Sequence, residues 1–411
     1  MKLSSLSCKR ALRDGQARRH LSYCAIVALI VTITAPCLAA EWSLAPSMST
    51  KAYFNDNLLL TQLPHDPTYG YWLSPGVEFA GKTERLEVSG KAAMDFVNYY
   101  GGETREFTNV FLPLQMRYRT EKDEWGFAGG FTRDNTLMGE LLATGLVLRF
   151  TQRNMWNANP TWTRMLTDKV SFQGAVQFTN TTYEDGLRLN LVDYQVWGGS
   201  AGIAYQFSER DKVQLAATYT NFYTMNTSSG LRVSMPGALG TVSHAFTESI
   251  EASVYGGPRF LTSSALVADA KLVGRDLVWV YGASLSKRFE KAVVQASLGR
   301  EIMPSGFGLL LKTDRARLTV SYNFSETIAA SFDISGYQIS GVSPLANGGS
   351  LSDNRLLYCT PQIDWKFSEW WKMELAYSLR VRDSDSISEP ISSNGLTLML
   401  TYYPPKLANS N

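Results

Sequence analysis

The chain has 411 residues and very little of what holds exported proteins together covalently. Of its four cysteines, Cys8, Cys24 and Cys37 lie in the first 39 residues. The remainder keeps only Cys359, so no disulfide can form within it. Histidine is equally scarce. His65 sits beside Asp66, which gives two ligands where a metal needs more. His244 follows Ser243 near the end of an alternating segment, where neighbours point to opposite faces. That geometry does not assemble a nucleophile and its base. With no phosphate loop and no cysteine cluster, the chain reads as a non-enzyme without cofactor or metal. Long hydrophobic runs are also missing. Beyond residue 39 no stretch of ~18 apolar residues exists, so no helix of that part is long enough to span a bilayer. A mean hydropathy of −0.13 does not exclude a membrane barrel, in which lipid-facing and lumen-facing residues alternate and average out.

The first 39 residues read as a secretory signal peptide. A basic stretch ending in Arg18 and Arg19 precedes an apolar run from Leu21 to Thr34, and Cys37-Leu38-Ala39 supplies small residues for cleavage after Ala39. This segment holds six Lys or Arg and one Asp, so its removal takes the net charge from +2 to −3. No basic patch for a nucleic-acid partner remains.

What the chain has in abundance is period-2 alternation. Near the C-terminus WWKMELAYSLRVRD places Trp371, Met373, Leu375, Tyr377, Leu379 and Val381 on one face. The other face carries Lys372, Glu374, Arg380 and Arg382. Such alternation means a β-strand with two different faces. Similar segments recur from end to end, as in Leu86–Phe96, Val110–Tyr118 and Val170–Phe178. Short polar turns separate pairs of them near positions 81–83, 121–123, 166–168, 208–211, 247–249, 290–291, 325–327 and 368–370. Their spacing of roughly 40 residues is that of two membrane-crossing strands with a loop and a turn. Four follow one recipe, an aromatic and then Ser or Thr with Glu: Phe207-Ser208-Glu209, Phe246-Thr247-Glu248, Phe324-Ser325-Glu326 and Phe367-Ser368-Glu369. The other connections are longer and rich in Gly, Ser, Asn and Asp, as in 56–70, 184–191, 261–276 and 340–353.

This asymmetry predicts an all-β fold: one antiparallel transmembrane β-barrel over residues 40–403 with about 18 strands (roughly 16–18), short periplasmic turns and longer extracellular loops. Residues 404–411 read as a tail. The segment Thr144–Met165 is long enough for one strand or for a strand plus an in-folded piece. Aromatics at strand ends, among them Tyr71 with Trp72, Tyr99 with Tyr100, Trp125, and Trp370 with Trp371, predict two interfacial girdles. If the apolar faces meet lipid, the lumen is lined by Glu87, Lys91, Asp95, Arg117, Arg119, Lys372, Glu374, Arg380 and Arg382, with Gln115 and Glu251 in the same set and Arg300, Arg315 and Arg317 as candidates. Such a mixed polar wall either pairs its charges to keep the lumen rigid or offers weak sites to a passing anionic or neutral glycan.

Two longer stretches are more particular. One is Arg133-Asp134-Asn135-Thr136-Leu137 with Glu140-Leu141, Thr144-Gly145, Asn159-Pro160-Thr161-Trp162 and Leu166-Thr167-Asp168. The other is Gly299-Arg300-Glu301-Ile302-Met303-Pro304-Ser305-Gly306-Phe307-Gly308. With Asp56-Asn57 and Ser74-Pro75-Gly76-Val77, they resemble the outer-membrane barrel family associated with PEP-CTERM/exosortase and exopolysaccharide gene clusters. The last segment, with Gly395, Leu398, Leu400 and Tyr402, resembles the C-terminal insertion signal of outer-membrane proteins, but the tail beyond Tyr403 departs from it. These resemblances imply a location in the outer membrane, contact with its lipid and the barrel-insertion machinery, and a passive conduit for exopolysaccharide working with periplasmic export components. A structural or anchoring barrel and a general diffusion porin are the alternatives.

Overall fold

The computed structural model describes residues 41–62, 66–102, 104–141, 150–225, 230–267, 270–342, 353–385 and 388–410. The signal-peptide segment, His65 and Thr144-Gly145 lie outside them.

The described chain is almost entirely strand. In order these are β1 (Glu41–Asn55), β2 (Thr68–Lys82), β3 (Leu86–Gly101), β4 (Arg105–Arg119), β5 (Asp123–Asn135), β6 (Gln152–Met165), β7 (Val170–Tyr183), β8 (Tyr194–Gln206) and β9 (Asp211–Thr224). They continue as β10 (Arg232–Thr247), β11 (Ile250–Val267), β12 (Ala270–Arg288), β13 (Ala292–Pro304), β14 (Leu310–Asn323), β15 (Ile328–Val342), β16 (Asn354–Lys366), β17 (Trp371–Ser384), β18 (Ile391–Tyr402) and a short β19 (Leu407–Ser410). Each strand from β1 to β18 pairs with the next, and β18 returns to β1 from Met48↔Tyr402 to Asn55↔Gly395. The result is a closed antiparallel barrel of 18 strands, which leaves no wall strand as a permanent edge. Beyond Pro404 and Pro405 the short β19 pairs with β1.

The short turns fall where the Ser/Thr-Glu recipe places them, for a local reason. Ser208 Oγ accepts the amides of Arg210 and Asp211 (both 3.1 Å). Ser325 Oγ accepts those of Thr327 and Ile328 (3.2 and 3.0 Å), and Ser368 Oγ those of Trp370 and Trp371 (3.2 and 3.1 Å). A hydroxyl that takes two amides at the corner satisfies donors which the ladder cannot reach.

The exterior is apolar along whole strands. On β4, Leu112, Leu114, Met116 and Tyr118 are all exposed, and on β18 so are Leu396 and Leu398. A continuous exposed apolar band of this kind requires lipid rather than water. In β17 the exposed face holds Trp371, Leu375 and Tyr377, and Trp371 packs on Tyr402 with ring centroids 4.9 Å apart.

Alternation assigns the girdles more sharply than their clustering in sequence does. Tyr71 and Tyr100 lie on the lipid side, but their neighbours Trp72 and Tyr99 are only 5% and 4% exposed and sit inside the barrel. Adjacent strand residues point to opposite faces, so an aromatic pair cannot place both rings in one girdle. The segment 261–276 is likewise not a loop. The ladder covers 261–267 and 270–276, with β11 and β12 paired from Ile250↔Lys287 to Val267↔Ala270 and β10 reaching Ser264 through Arg232. Its small residues carry little alternation of their own, and pairing with neighbours decides their structure. Of the segment 144–165 the described part, from Phe150, carries β6, and a helical turn over Leu137–Leu141 ahead of it buries Leu137 and Leu141 in the interior.

Candidate functional site

The site is the lumen, and its two halves differ. At the turn end it is charged and wet. Lys91 Nζ lies 3.1 Å from Glu78, and Glu87 lies 3.5 Å from Lys82. Arg117 and Arg119 both reach Glu124, each at 3.0 Å, with about half of either arginine exposed. Arg317 pairs with Asp333 at 2.7 Å. Lys372 joins Asp364 (3.5 Å) and Glu374. Higher up, Lys51 sits 3.9 Å above the ring of Trp72, facing Asp95 and Glu374. Arg380 approaches the Tyr53 hydroxyl, and its Nη1 is buried with no hydrogen-bond partner among the described residues. Arg382 donates to Asn354 Oδ1 at 3.2 and 3.3 Å. Arg300 does not belong to this set. It stands opposite Tyr281, an exposed residue of the lipid-facing side, and grips Asp314 with two bonds of 2.7 and 2.8 Å.

At the loop end the lumen is apolar and packed, contrary to a polar wall throughout. One cluster joins Leu58 and Leu60 of the first loop, Trp72, Tyr99 and the inward turn residues Leu137 and Leu141 to Leu311, Ile339 and Tyr358. A second joins Tyr183, Leu191, Tyr194, Phe222, Met235, Val278 and Leu310. Fully burying a side chain of this size stabilises by ~1.5–3 kcal/mol. The period-2 rule does not anticipate this, because the loops that cover these inward faces come from distant parts of the chain.

A buried polar network fastens the two clusters to each other. Arg153 on β6 is held by both carboxylate oxygens of Asp134 (2.9 and 2.8 Å) and lies 3.4 Å from Glu140. Glu140 is 1% exposed and also accepts the Tyr183 hydroxyl and the Gly306 amide (3.3 Å). Gly306 O in turn accepts Val192 N at 2.8 Å, and Tyr358 Oη donates to Leu141 O at 3.0 Å. Gly308 turns this tip with φ +73°, and a Cβ there would meet Val192 and Thr224 at 3.2 Å. Both its conformation and its close approach therefore require glycine. The inward turn, the β13–β14 tip and the loop after β7 are locked together. The two sequence stretches singled out above, Asp134 to Leu141 and Gly299 to Gly308, meet at the contact between Glu140 and Gly306. Glu140 between apolar Leu137-Met138 and Leu141 was the one local signal, since a buried charge must be paired. Its partner Arg153 lies in a polar segment and is not marked out by its neighbours.

His244 lies at the turn end and bonds Asp211 at 2.6 Å rather than a serine. Gly395, Leu398, Leu400 and Tyr402 all lie on β18, the strand that meets β1.

The chain is an outer-membrane β-barrel. No known family model matches it, and no curated sequence does. Among solved structures it is similar to Pseudomonas aeruginosa OccK5 (OpdH), at 11% identity and TM-score 0.44 over 88% of this chain and 98% of that one. It is also similar to Acinetobacter baumannii OccAB3, at 11% identity and TM-score 0.42 over 89% and 99%. A third is P. aeruginosa OpdK with vanillate, at 9% identity and TM-score 0.42 over 90% and 99%. Resemblances this distant add nothing about the site, and the assignment rests on the closure of β18 onto β1 and on the apolar exterior. The likeness to exopolysaccharide-cluster barrels rests on the quoted motifs alone.

Proposed function

We propose that the chain is a passive outer-membrane channel for an exported glycan, filled from the turn end and shut at the loop end in the form described. The observation that carries the reading is the difference between the two halves of the lumen. Arg117, Glu124 and Arg317 are close to half exposed, so the turn-end vestibule is open to water. Arginine and carboxylate side chains that remain solvated bind sugar hydroxyls or carboxylates weakly and at many positions, which suits passage without trapping. The turn end faces the periplasm in barrels of this type, so a polymer made inside the cell meets the open half first. The packed clusters close the far half until the network around Glu140 gives way.

The same clusters favour a second reading, an anchoring barrel whose lumen never opens. Conductance in planar bilayers separates the two. The channel reading expects a closed wild type and discrete openings in Glu140→Gln. A variant as silent as the wild type, over all voltages tried, supports the anchor. Deleting the gene and measuring surface polysaccharide tests the cargo, and unchanged export would remove the glycan from the proposal.

A further inference from the structure

Among the described residues the barrel wall parts between β12 and β13. Strands β12 and β13 pair only from Tyr281↔Arg300 to Arg288↔Val293. Above Tyr281, β12 continues to Ala270 with β11 as its neighbour, and Glu301–Pro304 continue with β14 alone. Among the described residues Leu272–Val280 have no strand partner on the β13 side. The tip of β13–β14 instead leans across the lumen, where Gly306 meets Glu140 and Val192. Two consequences of the lean are visible. Ile302 and Leu310 share the outward parity of Leu298 and Leu318, which are exposed, yet both pack against the second interior cluster.

A cavity of about 510 Å³ lies at this parting. It is lined on the lumen side by Thr220, Leu239 and Arg259, and at the parting by Val280, Arg300 and Ile302. It is of the size of small-ligand sites, which run ~300–1,000 Å³. Tyr281 stands eight positions above Phe289 of the turn-end girdle, a height of ~20 Å at ~3.3 Å per residue on a tilted strand. An apolar band ~25 Å tall then puts the parting in the upper part of the outer leaflet.

We propose that the parting between β12 and β13 is a lateral binding site for a phosphate-bearing amphiphile, its acyl chain in the outer leaflet and its head in the cavity. The chain would lie on the outer face along Leu277 and Trp279, and the head would pass Val280 and Ile302 into the cavity. Backbone groups of an uncovered strand edge are tolerated at membrane depth only beside a polar or water-filled space, and the cavity and a polar head provide one. Arg259 supplies the contact for the phosphate. Its guanidinium points into the lumen, bonds the Thr218 hydroxyl, and forms no ion pair among the described residues. Glu301 lines the same cavity and would accept hydroxyl or ammonium protons of the head. Arg300, by contrast, is already matched by Asp314. This inference goes beyond the channel reading and does not depend on whether a glycan passes.

The test is photolabelling of the full barrel in phosphatidylethanolamine vesicles whose acyl chains carry a radiolabel. A photoreactive diazirine residue is placed at Leu239 on the lumen side of the cavity, at Leu298 on the lipid face, and at Gln115 on the lumen face of β4. Lipid adducts are expected at Leu298 and Leu239 and not at Gln115. Arg259→Gln should lower labelling at Leu239 several-fold, Arg259→Lys should restore most of it, and Leu298 should stay constant in both and so report an intact barrel. Labelling at Leu239 no higher than at Gln115 overturns the site. Labelling at Leu239 that ignores Arg259→Gln overturns the role given to the phosphate.

Discussion

The amide of Gly306 donates to the carboxylate of Glu140 at 3.3 Å, joining positions 166 residues apart between the two packed clusters of the loop end. Glu140, on the inward turn, joins β6, β7 and the β13–β14 tip. Its replacement by alanine leaves Arg153 buried with only Asp134 as a charged partner. Breaking a buried pair from one side costs ~3–5 kcal/mol. Urea unfolding of the barrel in detergent should show a loss of that order in Glu140→Ala, and a smaller one in Glu140→Gln, which keeps an acceptor.

Leu375 is exposed on the outer face of β17, near its middle, and pairs with Leu398 of β18. An arginine there meets hydrocarbon, so Leu375→Arg should destabilise the barrel in lipid by ~2–4 kcal/mol. Gln115→Arg, on the wet lumen face of β4, should fall within ~1 kcal/mol of the wild type. Equal stability of the two variants would reverse the assignment of faces.

Glu124 holds two arginines, both about half exposed. Solvated pairs contribute ~0–1 kcal/mol, so Glu124→Gln should leave stability almost unchanged. Its effect should be on ions. With Arg117 and Arg119 freed, a Glu140→Gln channel carrying this second change should favour anions more strongly. The reversal potential across a salt gradient measures it.

The packing of the loop end can be probed without touching charge. Leu311 is 0% exposed, and Leu311→Ala should cost ~2–5 kcal/mol. Tyr358→Phe removes only the bond to Leu141 O and should cost ~1 kcal/mol, about the net worth of one hydrogen bond. If both variants melt with the wild type, the clusters do not hold the tip.

Strand number, turn positions and faces were open to reading because each is local. Ser325 and Ser368 cap their turns with a hydroxyl that is visible in the sequence, and the period of 2 names the wet face of β17 residue by residue. Alternation carries no information where both faces are apolar. Tyr71 and Trp72, or Tyr99 and Tyr100, alternate nothing, so neither can be assigned to lipid or lumen without knowing what covers it. The same holds for Leu310 and Leu311, neighbours that belong to different clusters. What covers them comes from the first loop, the turn at Leu137–Leu141 and strands on the far wall. Contacts at such separations leave no periodic trace. Arg300 shows the same limit: its charge makes it a candidate for the lumen, while its register gives it the parity of Leu298, where Asp314 directly opposite on β14 neutralises it.

Leu310 packs into one cluster and Leu311 into the other, on opposite sides of a single hairpin. A hairpin gripped on both sides has no halfway position, because any displacement uncovers apolar surface to left and right at once. Movement of the tip should therefore be all-or-none. In a single-channel record this predicts square steps between shut and one conducting level, with dwell times rather than amplitudes changing from variant to variant.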